Sequence, residues 1–117
     1  MEQEFALSSE TRDNCLIITT SGYINNTGGE AIHQEFARHF GEGIKNIVIN
    51  LEQSKVVNSI GMSHLIEIIE QVSEADGRML FTNLDPAVDK MLNIMGIFSF
   101  AGKENSVEEA LKKISSQ

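Results

Sequence analysis

Short apolar runs alternate with polar, glycine-bearing breaks, and the period of each run predicts its element. Residues 4–9 alternate weakly, with Phe5 and Leu7 on one side, and read as a short edge strand. Thr11-Arg12-Asp13-Asn14 is a turn by composition. Residues 15–20 form a β-branched run and a second strand. A turn this short makes the pair an antiparallel hairpin. Gly22 and the Asn25-Asn26-Thr27-Gly28-Gly29 cluster then break the strand. Over residues 29–39 a helix is predicted, because Ile32, Phe36 and Phe40 recur at four-residue spacing. Asn26 or Thr27 is its expected cap, and Gly41 and Gly43 end it.

Residues 46–51 follow as a strand. Their core, Ile47-Val48-Ile49, does not alternate, so the strand is central and covered on at least one face. Residues 60–75 repeat with helical period. Met62, Leu65, Ile66, Ile68, Ile69 and Val72 fall on one face. Ser63, Glu67, Glu70, Gln71 and Glu74 fall on the other, and Ile60 projects toward that polar side. Asp76-Gly77 stops the helix. A strand is expected at 78–82. Asp85 then caps a helix with Pro86 in its first turn and Val88, Met91, Leu92 and Met95 as its stripe. Gly96 closes it, and residues 97–100 read as a short last strand. Ser106 caps a final helix to Ile114, with Val107, Ala110, Leu111 and Ile114 inward and Ser106-x-x-Glu109 as a capping box. The order β-β-α-β-α-β-α-β-α implies an α/β fold. Its mixed sheet has an antiparallel N-terminal hairpin, is otherwise mostly parallel, and is packed with about four helices.

Composition narrows the class. The 117 residues fit one domain, residues 1–117, which buries roughly two-thirds of its unfolded surface without staples. A hydrophobic fraction of 41% with a single proline argues against disorder. A net charge of −8 argues against nucleic acid or an anionic membrane and suits a basic face on a partner protein. Cys15, the one cysteine, lies in an apolar run and reads as a small core hydrophobe. Its isolation suits a reducing cytoplasm. No apolar run is long enough to span a bilayer. Met1-Glu2-Gln3-Glu4 is acidic, unlike the start of a signal peptide.

Signatures of catalysis are missing: no Gly-rich phosphate loop, no Walker lysine, no Cys-x-x-Cys, no His-Glu-x-x-His and no Gly-x-Ser-x-Gly elbow. His33 and His39 do not share a helix face at metal-ligand spacing and read as solvated. No metal and no cofactor are expected. The chemistry that stands out is Ser59, at a strand-to-helix junction beside Asn58 and near Gly61. A hydrolase would need a base for Ser59, and His64 lies along the same helix pointing away from its first turn. A phosphoryl group asks less of the site. It adds about −1.5 to −2 charge at a helix N-terminus, where the dipole favours it.

Val48-Ile49-Asn50-Leu51 through Asn58-Ser59-Ile60-Gly61-Met62 resembles the signature of the STAS-domain anti-sigma factor antagonists. Gly22-Tyr23-Ile24-Asn25 and the segment from Pro86-Ala87-Val88 to Gly96-Ile97-Phe98 resemble two further motifs of that family, in the same order. The resemblance implies a small cytoplasmic, non-enzymatic binding module in a partner-switching circuit. The unphosphorylated module binds an anti-sigma factor that is also a serine kinase. That kinase phosphorylates the signature serine, here Ser59, and a PP2C-type phosphatase resets it. A monomer or weak dimer is expected. Three positions depart from the family pattern: Asn25 and Asn58 stand where it has Asp, and Ile60 where it has Ser or Thr. These departures leave a second reading, a constitutive scaffold, ligand-binding module or regulator of a non-sigma output. In either case Asn25, Asn26, Thr27, Asn58, Ser59, Ile60 and Ser63 are the expected interface, because this topology puts strand ends and helix starts at one edge.

Overall fold

The computed structural model describes residues 4–115. Met1, Glu2 and Gln3, most of the acidic start, lie outside the described residues. Five strands and four helices follow the expected order: β1 (Ala6–Arg12), β2 (Cys15–Ser21), α1 (Asn26–Phe40), β3 (Asn46–Gln53), α2 (Ser59–Glu74), β4 (Met79–Thr82), α3 (Pro86–Ile94), β5 (Gly102–Glu104) and α4 (Val107–Ser115). The sheet runs β1-β2-β3-β4-β5. The first pair is antiparallel and the other three are parallel.

Hydrophobic positions of the central strands divide between two layers because successive side chains point to opposite faces. Leu16, Ile18, Ile47, Ile49, Met79 and Phe81 face a large core closed by α1, α2 and α3. Cys15, Ile17, Val48 and Leu80 face the other way, onto Ala110, with Val107, Leu111 and Ile114 of α4 around it. The unbroken Ile47-Val48-Ile49 run is thus explained: its strand is covered on both faces. Cys15 is 1% exposed, as a core hydrophobe. Burial pushes its thiol up to about 11, so it stays protonated and unreactive near neutral pH.

Several boundaries differ from those expected, each for a local reason. The hairpin turn is only Asp13-Asn14, both with positive φ (52° and 63°), and β1 continues through Arg12. That geometry suits the right-handed twist of the flanking strands, and Asp and Asn tolerate it. Helix α1 starts at Asn26, and its cap is Asn25, whose Oδ1 accepts from the Gly28 N–H at 3.1 Å. Neither Asn26 nor Thr27 is the cap; both lie inside the first turn. Residues 97–100 are not a strand. Ile97–Ser99 form a 3₁₀ turn, entered through Gly96 at φ 74°, and the last strand is Gly102–Glu104. The apolar run Ile97-Phe98 packs onto the main core from that turn. Met95 is 46% exposed and does not belong to the α3 stripe. The caps at the other two helices are as expected: Asp85 accepts from the Ala87 N–H, and Ser106 Oγ from the Glu109 N–H.

Beyond their strands, the two segments that lead into α1 and α2 stay side by side. Thr20 and Ser54, both fully buried, share a hydroxyl hydrogen bond of 2.7 Å where the strands end. The Gly22 N–H donates to the Gln53 carbonyl (2.9 Å) and the Ile24 N–H to the Val56 carbonyl (3.0 Å). In return the Asn58 N–H donates to the Ile24 carbonyl at 3.1 Å. Gly61 packs against that same carbonyl so closely that a Cβ there would lie 2.2 Å from the oxygen.

Gly61→Ala should therefore lower stability by about 1–3 kcal/mol, because the clash with fixed backbone outweighs the better helix propensity of alanine. A shift of the urea midpoint at constant slope measures it; an unchanged or raised midpoint contradicts the close approach. The thiol supplies a second test. Its folded pKa, about 11, lies above the usual 9.0. Its contribution is full below pH 9 and is lost as pH rises toward 11. Cys15→Ala should flatten the fall of stability across that window.

Candidate functional site

Two β-to-α junctions lie next to each other at one end of the sheet and are built alike. Each is an Asn at the helix cap with a Gly three residues on: Asn25 with Gly28, and Asn58 with Gly61. Asn58 Oδ1 accepts from the Gly61 N–H at 2.8 Å. Each cap satisfies one N–H that the first helical turn leaves without a partner. The paired backbone of residues 22–24 and 53–58 sets the distance between them. Two helix N-termini thus open on one surface, and neither has an acidic residue in its first turn.

Ser59 is the first residue of α2. It is exposed, and among the described residues its hydroxyl makes no hydrogen bond. Ile60 beside it is 53% exposed, as its position on the polar side of the helix predicted. Asn26 and Thr27 are exposed in the first turn of α1, and Asn25 and Asn58 are half-buried. Ser63 is exposed, but its hydroxyl is committed to the Ile60 carbonyl at 2.6 Å. The seven residues singled out from the sequence therefore sit on two adjacent helix starts. Sequence reasoning missed Tyr23 and Val56, which are 41% and 56% exposed on the paired segments and line one shallow cleft with Lys55. Their exposure follows from the loop pairing, which no periodicity marks.

Two of the histidines differ from expectation. His33 and His39 are only partly solvated: their side chains are 23% and 12% exposed. His39 lies against Glu35 of its own helix at 3.3 Å. His64 reaches across to the neighbouring helix, with its Nε2 3.0 Å from Asn26 Oδ1 in the first turn of α1. Helical spacing within one helix could not show the His64 contact, because His64, like His33, reaches across to the neighbouring helix. Ser59 Oγ bonds neither histidine nor carboxylate, so no base is arranged to activate it.

This sheet order, with an exposed serine at the start of the second helix, points to one class of protein. A family model, the STAS domain, matches residues 6–110, and the chain belongs to that family. Among named relatives, BtrV of Bordetella bronchiseptica, named as an anti-sigma factor antagonist, is 25% identical over 104 residues, or 89% of this chain and 90% of BtrV. An anti-sigma factor antagonist from Mycobacterium paratuberculosis has the same fold, with a TM-score of 0.83 and 18% identity over 96% of this chain and 95% of that one. The anti-sigma factor antagonist SpoIIAA also matches in its unphosphorylated form (TM-score 0.82, 18% identity, 96% and 98% coverage). In its phosphorylated form this Bacillus cell fate determinant matches at 0.76, with 19% identity and 93% and 99% coverage. The fold is that of the anti-sigma factor antagonists. Among the described residues, no helix is long and apolar enough to cross a membrane.

Asn58→Ala should cost about 1 kcal/mol through loss of the α2 cap, and Asn58→Asp should not. Thermal unfolding of the three chains separates them. Equal losses for Ala and Asp would contradict a cap that needs only an accepting oxygen.

Proposed function

We propose that this chain is a phospho-regulated interaction module, an anti-sigma factor antagonist that binds an anti-sigma factor with serine kinase activity while Ser59 is unmodified. The observation that carries the proposal is the placement of Ser59: exposed, unbonded, and first in a helix whose N-terminus faces solvent. Phosphate there meets free N–H groups and the positive end of the dipole, so the fold tolerates it. A partner docked on the same surface does not, if its contact is acidic or closely packed. Asn25, Asn26, Thr27, Asn58, Ile60 and Ser63 form the surface around the switch. Ile60 contributes apolar area that a partner would bury. A net charge of −8 favours a basic partner face. The module works as one cytoplasmic domain that binds rather than catalyses. A PP2C-type phosphatase removes the phosphate and restores binding. Support comes from the relatives as well: BtrV and SpoIIAA are both named anti-sigma factor antagonists, and SpoIIAA exists in phosphorylated and unphosphorylated forms.

A constitutive module is the second reading, favoured by the amides at 25 and 58. They leave no carboxylate to make a charge-assisted bond with a basic partner group. One experiment separates the two. Native chain, Ser59→Ala and Ser59→Asp are used to capture the partner from the host. Ser59→Ala should retain binding, and Ser59→Asp should lose it at least about tenfold, or ~1.4 kcal/mol. Equal capture by all three removes the switch and leaves the constitutive module.

A further inference from the structure

Helices α1 and α2 pack in parallel, the first turn of α1 beside the second turn of α2, as the contacts Asn26 to His64 and His33 to Gln71 require. Between them, His33 of α1 and His64 and Glu67 of α2 bring three ligand atoms within 4.8 Å of one another. We propose that these three residues form a binding site for a divalent transition-metal ion of the zinc class, which ties α1 to α2 below the paired helix starts.

The contact at His64 fits one tautomer. With Asn26 turning its accepting Oδ1 toward the ring, the proton sits on His64 Nε2. Nδ1 is then a bare lone pair, and it is buried with no hydrogen-bond partner. A buried nitrogen left unpaired is costly, and native proteins rarely keep one without a use. An imidazole whose far N–H is held by a neighbouring oxygen, with its other nitrogen free, is how proteins present histidine to a metal. Gly29 makes room for this arrangement: a Cβ there would lie 2.7 Å from His64 Cδ2. The ring therefore lies directly against the backbone of α1.

His33 completes the pair of imidazoles. Its Nδ1 is 3.3 Å from Glu67 Oε2, and its Nε2 is 3.3 Å from the Gln71 amide. Gln71 can offer either its oxygen or its nitrogen by a half-turn of the amide, so it supports His33 whichever nitrogen takes the metal. The two rings stand edge to face with centroids 5.9 Å apart. Tetrahedral zinc, with bonds of about 2.0–2.1 Å, needs ligand atoms roughly 3.3 Å apart. Side-chain rotation covers the difference, and Glu67 is free to make it, being 57% exposed. Two imidazoles and one carboxylate suit a borderline ion over calcium or magnesium, which prefer oxygen. The exposed side of Glu67 leaves a fourth position for water. Because His64 also holds Asn26, an ion here would stiffen the first turn of α1, part of the proposed interface. The site does not depend on phosphorylation of Ser59.

The test is titration calorimetry of the full, tag-free chain with zinc alone, near neutral pH, beside His33→Ala and Glu67→Gln. Both substituted side chains are partly exposed, and circular dichroism should show unchanged folding without metal. The native chain should bind one equivalent, and each substitution should weaken binding at least about tenfold. Cobalt(II) should give the intense visible bands of a tetrahedral-type site in the native chain only. Absence of saturable binding in the native chain, or an affinity retained by either variant, overturns the site.

Discussion

Ile24 is held on both sides by one neighbouring segment: its N–H by the Val56 carbonyl, its carbonyl by the Asn58 N–H. Most of what gives this protein a functional surface depends on that clamp. Parallel strands β2 and β3 end at different points, and a bulge interrupts their register between Thr19 and Ser21. Without further pairing their crossover loops would diverge. The backbone bonds at Ile24 instead carry the parallel arrangement past the sheet, into the first residues of two helices. Gly61, packed on the same carbonyl, lets α2 approach that closely. Two Asn caps then finish two helix starts a fixed distance apart. Ser59 is presented by this frame, which keeps it exposed at the solvent end of a rigid helix.

Much of this was legible in the sequence, because the relevant signals are local. The period of four in Ile32, Phe36 and Phe40 and the β-branched run from Cys15 each have one structural solution. Asp85-Pro86 and Ser106-x-x-Glu109 are caps by chemistry alone. The serine junction was visible for the same reason: a strand, a polar turn and an Asn-Ser pair before a helical period. What escaped depended on contacts between segments. Asn25 and Asn26 are equally good caps by type, and only the bridge from Ile24 to Val57 decides that the helix begins after Asn25. Ile97-Phe98-Ser99-Phe100 has strand-like composition, yet Gly96 in a left-handed conformation turns it into a 3₁₀ turn. The pairing of His33 with Glu67, and of His64 with Asn26, needs two helices side by side, which no one-helix pattern encodes.

The departures from the family signature gain a physical meaning in this setting. Asn58 caps α2 as well as Asp would, so the amide leaves the helix start intact. What changes is charge. With amides at 25 and 58, the surface around Ser59 carries its negative charge elsewhere, and a phosphoryl group would be the main local charge when present. Ile60 replaces a hydroxyl with apolar area that is 53% exposed. A surface uncharged at these seven positions would gain a strong local charge from one phosphoryl group, so a single modification would give a large contrast between states.

The most direct test of the account is mass spectrometry of the protein purified from its own host, in growth and under stress. The account predicts an increment of about 80 Da, one phosphoryl group, localised to Ser59 and varying with condition. Its absence under every condition, with full coverage of the peptide around Ser59, would contradict the phospho-switch and leave a module that binds its partner constitutively.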